Sequence, residues 1–176
     1  SYPRTKDWIQ SSFDKITLNR MKKNVEIHMN SYAWLSKMVA DKMVKNNKKG
    51  SIINLNSIYG LQGQDLNIYE KTSMKENMTY SMIKGGIVNL TRQMASYYGK
   101  FGVRINGICS GGLRGHVAGK LNFQDKQFVK NYQKKVPLKR LGEPEEVAHV
   151  ITFIASDASS YITGANILVD GGWTII

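Results

Sequence analysis

Three short apolar runs separated by helical periodicities constrain this chain most. Residues 51–55, Ser-Ile-Ile-Asn-Leu, follow Gly50 as a compact apolar run suited to a parallel strand buried on both faces. Residues 103–108 and 166–169 repeat the pattern further along. Between the first two runs, residues 79–94 place Ile83, Ile87, Leu90 and Met94 at helical spacing, which gives an amphipathic helix with one buried stripe. Strands that alternate with helices leave one fold class, an α/β protein built on a parallel sheet.

The remaining segments fit around that core. Residues 24–48 read as a long helix with Ile27, Tyr32, Leu35, Met38, Val39 and Met43 on its apolar side, Asn30 within it, and Gly50 as its stop. Pro144-Glu145-Glu146 opens another helix, with proline and acids in the first turn and Val147, Val150, Ile151 and Ile154 on the buried face. Residues 61–78 form a polar connection long enough to be a binding element or lid. Phe123, Phe128, Val129 and Tyr132 are packing candidates in the basic stretch that follows the second strand.

Chemistry concentrates in the helix at 79–94. Tyr80 and Lys84 lie one turn apart, so their side chains share a helical face. A nearby ammonium favours phenolate over phenol, which would bring a tyrosine pKa down from about 10 towards working pH. A second Tyr-x-x-x-Lys, from Tyr2 to Lys6, contains Pro3 and has no apolar period around it, so it lacks that helical context. Ser57 emerges at the carboxyl end of the first strand, the edge where open parallel sheets bind ligands. The loop Ser110-Gly111-Gly112-Leu113-Arg114-Gly115 leaves the second strand where backbone can approach a ligand closely.

Composition excludes several classes. The formal charge of +12 is carried mainly by lysines scattered along the chain, without the aromatic-interleaved basic motif of a nucleic-acid binder, so no nucleic-acid partner is expected. No run approaches the roughly 20 apolar residues of a membrane span. His28, His116 and His149 make no metal-ligand spacing, so no metal is expected. Cys109, the single cysteine, suits a reducing cytoplasm and a buried apolar role. Asn77-Met78-Thr79 and Asn89-Leu90-Thr91 match the glycosylation pattern by chance.

Taken in order, Asn30, Ser57, the Tyr80/Lys84 pair, residues 104–112, residues 137–148 and residues 163–172 resemble the short-chain dehydrogenase/reductase family over about residues 24–173. The resemblance implies a Rossmann-like doubly wound parallel sheet in one domain, residues 1–176 forming its C-terminal portion. The chain starts with Ser1 in mid-pattern, and the family's first strands and phosphate-binding turn would precede it. It also implies an oxidoreductase that uses NAD or NADP on a small-molecule alcohol or carbonyl. Tyr80 would be the acid or base, Ser57 would bond the substrate oxygen, and Lys84 would tune Tyr80 and bind the cofactor ribose. Asn30 would hold a water linking Lys84 to solvent, and Gly111, Gly112 and Leu113 would line the nicotinamide.

Departures are visible too. Ser110 replaces the loop proline, Gly115 stands where threonine is common, and the interval from Ser57 to Tyr80 is longer than usual by about ten residues. Residues 2–8 and 67–70 are similar to a bacterial subgroup found with surface-sugar and flagellin-glycan genes, which suggests a sugar-derived substrate. Two alternatives share the fold: a sugar epimerase or dehydratase with an internal hydride carrier, and a non-catalytic binding or assembly module. The resemblance further implies a cytoplasmic homo-oligomer, dimer or tetramer, with contacts from the helices around Asn30 and Tyr80 and from the tail at Trp173, Ile175 and Ile176. The strand at 51–55 would lack a neighbour, so residues 1–176 by themselves are expected to aggregate and to be inactive.

Overall fold

The computed structural model describes residues 6–115 and 124–176. Residues 2–5 of the subgroup likeness, together with His116 and Phe123, lie outside the described residues. Three parallel strands, β1 (Gly50–Ser57), β2 (Val103–Ser110) and β3 (Asn166–Val169), stand in the order β1-β2-β3. β1 pairs with β2 from Gly50 opposite Val103 to Ser57 opposite Ser110, and Ser110 pairs onward with Val169. All three strands therefore deliver their carboxyl ends to one edge of the sheet.

The described residues hold six helices: α1 (Lys6–Ile9), α2 (Leu18–Val25), α3 (Ser31–Lys45), α4 (Met78–Tyr98), α5 (Lys126–Lys135) and α6 (Pro144–Ala155). Strand alternation explains why both faces are covered. Ile52 and Ile105 point into a core with Ala40 of α3 and Met94, Ala95 and Tyr98 of α4. Ile53 and Ile108 point the other way, into a core with Val147 and Ile154 of α6. The buried face of α4 carries Ile83, Ile87 and Met94 as the spacing predicts, and also Val88, Thr91 and Tyr98.

The long helix expected at 24–48 differs in three respects. It is a continuous helical path with a π turn at Glu26–Asn30 between α2 and α3. Its end is set by Asn47 at φ 51, while Gly50 already belongs to β1. The buried face of α3 holds Ser36 and Ala40, and the expected apolar side is largely exposed, with Leu35 at 63% and Met38 at 53%. Periodicity located an apolar stripe there but could not say which surface would cover it.

The C-terminal tail divides. Trp173 is fully buried, stacked on Tyr132 with ring centroids 4.5 Å apart and edge-on to Tyr59, so it belongs to this chain's own core. Ile175 and Ile176 are exposed. Cys109 is buried as expected, and burial pushes its thiol up to about 11.

Candidate active site

The carboxyl edge of the sheet opens into a cleft of about 540 Å³ lined by Ser57, Tyr80, Lys84, Gly111, Gly112 and Leu113 among others. Ser57 ends β1 and caps the next 3-10 turn, its Oγ accepting the Tyr59 N–H at 3.2 Å. Tyr80 lies in the first turn of α4. That turn is fixed by Asn77, whose Oδ1 accepts from Thr79 N at 3.1 Å and Tyr80 N at 3.0 Å.

Helix and strand are held in register by buried polar contacts. Asn54 of β1 donates to Thr91 of α4 at 3.0 Å and accepts from Ser36 of α3 at 3.0 Å. Gly60 permits the turn after β1 to approach α4: a Cβ there would lie 2.8 Å from the backbone C and O of Lys84. These contacts bring Tyr80 and Ser57 to the same cleft.

Lys84 is buried and donates to the Leu55 carbonyl at 2.8 Å. Its Nζ lies over the Tyr32 ring at 5.2 Å and over the Tyr80 ring at 6.0 Å from the centroids. Burial lowers the Lys84 pKa, with the neighbouring Cys109 opposing. Tyr80 departs from the sequence expectation. Burial pushes its phenol above the ordinary range, Ser57 opposes that, and Tyr32 adds to it. Lys84 does not bring the phenol down here, because desolvation of both groups dominates.

Asn30 is the expected site residue whose side chain stays out of this cleft. It closes the π turn, donates to Glu26 Oε2 at 2.7 Å on the surface, and lines a separate cleft between α3 and α4. His28 of the same turn has its pKa lowered, mainly by burial and then by the charge of Lys84. Spacing put Asn30 on the right helix but could not foresee a π turn redirecting its amide.

Gly111 and Gly112 line the cleft as expected, and packing also requires them to be glycines. A Cβ on Gly112 would meet Tyr132 ring carbons at 2.8 Å, and the Gly112 N–H donates to the Tyr132 hydroxyl at 2.6 Å. Leu113 forms a parallel bridge with Gly142.

The rest of the wall comes from Trp8, from Tyr59, and from the polar connection expected to be a binding element or lid. Trp8 tilts against Tyr80 with centroids 5.2 Å apart and donates from its indole to Lys75 O at 2.8 Å. Tyr59, Tyr69 and Gln64 complete that side. Segment 61–78 is fastened at both flanks. Lys75 pairs with Asp14 at 2.8 Å, Lys135 of α5 pairs with Asp65 at 2.8 Å, and Asn131 donates to Glu70 O at 2.9 Å.

The donor set suits a nicotinamide dinucleotide. Lys84 and Arg114 line the cleft, and among the described residues no carboxylate does. Among the described residues no His/Cys/Asp/Glu group could hold a metal, and no helix is long and apolar enough to cross a membrane.

Comparison with known proteins agrees with this architecture. Residues 4–174 match the model of a family described as enoyl-(acyl carrier protein) reductase. The chain is 30% identical to post-translational flagellin modification protein A of Campylobacter coli over 98% of its own length and 64% of the relative's. It is 34% identical to L-rhamnose-1-dehydrogenase of Scheffersomyces stipitis over 91% of this chain and 58% of that one. A short-chain dehydrogenase of Leptospira borgpetersenii solved with bound NAD+ superposes with a TM-score of 0.82 at 33% identity, covering 93% of this chain and 59% of the other. The chain thus spans about three fifths of the length of these relatives, and with the family model matched over nearly all of it, it belongs to the short-chain dehydrogenase/reductase family.

Proposed function

We propose that the protein is an NAD(P)-dependent oxidoreductase acting on an alcohol or carbonyl carried by a sugar or sugar derivative. The observation that carries the reading is the single cleft at the carboxyl edge of the sheet that gathers Ser57 and Tyr80, with buried Lys84 one turn behind. The sugar-acting relative and the flagellin-modification relative support the substrate class.

In this reading Ser57 donates a hydrogen bond to the substrate oxygen and Tyr80 passes a proton to it during reduction, or takes one during oxidation. A phenol held protonated by burial is suited to the reductive direction. A nicotinamide bound along Gly111, Gly112 and Leu113 supplies or accepts the hydride. Lys84 would hold the ribose of that cofactor and return the proton to Tyr80. The water link between Lys84 and solvent that the resemblance assigns to Asn30 has no support from its amide, which bonds Glu26 on the surface.

Turnover by the full-length protein, assayed as nicotinamide absorbance with D-glucose, L-rhamnose and meso-2,3-butanediol, tests the reading. Tyr80→Phe should abolish turnover while leaving NADH or NADPH binding in calorimetry largely intact. An active Tyr80→Phe variant would overturn the assignment.

The same proposal includes a cytoplasmic homo-oligomer. Support for the association is the second cleft, of about 820 Å³ between α3 and α4, lined by the exposed Trp34 and Tyr97, together with exposed Leu35 and Met38 on α3. A monomer in sedimentation at micromolar concentration would refute that part.

A further inference from the structure

Gln64 sits in segment 61–78 and lines the cleft that holds Ser57 and Tyr80. Its amide orientation is fixed by chemistry, because Oε1 accepts the Asn77 backbone N–H at 2.9 Å and a donor cannot face a donor. Nε2 is therefore directed elsewhere, and it is buried without a hydrogen-bond partner among the described residues. An unmade bond to a buried donor is costly, so its retention at a cleft wall calls for an acceptor that arrives with a ligand.

The surroundings restrict what that ligand is. Trp8, held by its indole bond to Lys75 O, and Tyr59 and Tyr69 line the same cleft with flat, largely apolar rings. A wall of aromatic faces with one fixed amide donor matches a substrate with an apolar ring or chain face and an acceptor oxygen besides the reacting one.

Resting on the oxidoreductase reading above, we propose that Gln64 is a specificity-determining residue whose Nε2 donates to a non-reacting hydroxyl or carbonyl oxygen of a polyoxygenated substrate lying along Trp8. A site built to hydrogen-bond a substrate oxygen rejects an analogue without it, because the donor is then left unpaired.

The test compares oxidation of D-glucose and meso-2,3-butanediol with that of cyclohexanol, which has a single oxygen, by the full-length protein. Gln64→Glu keeps the acceptor for the Asn77 N–H and removes the donor, and Gln64→Met removes both. Each variant should narrow the kcat/KM preference for the polyoxygenated probes over cyclohexanol by about 10- to 100-fold, mainly through KM. Equal losses on all probes, or an unchanged preference, would overturn the inference alone. No turnover of any probe by the unsubstituted protein would overturn the oxidoreductase reading and the inference with it.

Discussion

Asn77→Ala should destabilise the first turn of α4 and displace Tyr80 with it. Asn77 is 1% exposed and its Oδ1 satisfies three donors: the backbone N–H groups of Thr79 and Tyr80 and the Thr79 hydroxyl at 2.9 Å. Thr79 is itself fully buried and accepts from Asn24 at 2.9 Å, so water cannot replace the lost acceptor. Loss of an N-cap costs about 1 kcal/mol and each buried unpaired donor about 1–3 kcal/mol. One term opposes these costs. Asn77 Nδ2 is buried without a partner, and its removal relieves part of the penalty. The net expectation is a loss of about 2–4 kcal/mol, or a drop of about 5–15 °C in Tm for a chain of this size. Thermal unfolding by circular dichroism reads it directly. Asn77→Asp keeps Oδ1 in place at the positive end of the helix and should stay within about 1 kcal/mol of the parent. If Asn77→Ala melts within 1 °C of the parent, or if Asn77→Asp falls as far as alanine, the cap is not what holds this turn.

Other substitutions test neighbouring parts of the argument. Gly60→Ala drives a Cβ to 2.8 Å from the Lys84 backbone, which cannot rotate away, so a loss of about 1–3 kcal/mol in denaturant unfolding is expected together with reduced kcat. Asn131→Ala releases the carbonyls of Ile68 and Glu70 and should speed amide exchange or proteolysis within 61–78, with a stability change near 1 kcal/mol. Arg140 pairs with Glu146 through two contacts of 2.7 Å and holds its carboxyl at about 2, against an ordinary 4.5. A depressed carboxyl contributes stability above its unfolded pKa and loses it as pH falls through the folded one. Glu146→Gln should therefore flatten the fall in Tm between about pH 4.5 and 2.

The residues that define the chemistry were legible as a linear pattern because spacing on a regular element fixes which face a side chain shares. Tyr80 and Lys84 needed only a helix, Ser57 only the end of a strand, and Gly111 and Gly112 only the loop after the next strand. Asn77 shows the opposite case. In sequence it belongs to a glycosylation pattern, and only the fold buries it as the cap of the reactive helix.

Sequence by itself determined the alternation of strands and helices, the parallel sheet, and the chemical types gathered at its carboxyl edge, because these follow from periodicities of two and 3.6 residues. Tertiary structure alone decided the rest. It decided that the apolar side of α3 faces outward while Ala40 is buried, since a stripe acquires an inside only when another surface covers it. It decided that Tyr80 is shifted up by burial, since desolvation depends on neighbours from β1 and from the segments on either side. And it brought Trp8 and Gln64, 56 positions apart in the chain, to one wall of one cleft, since contacts between segments without shared periodicity are set by packing.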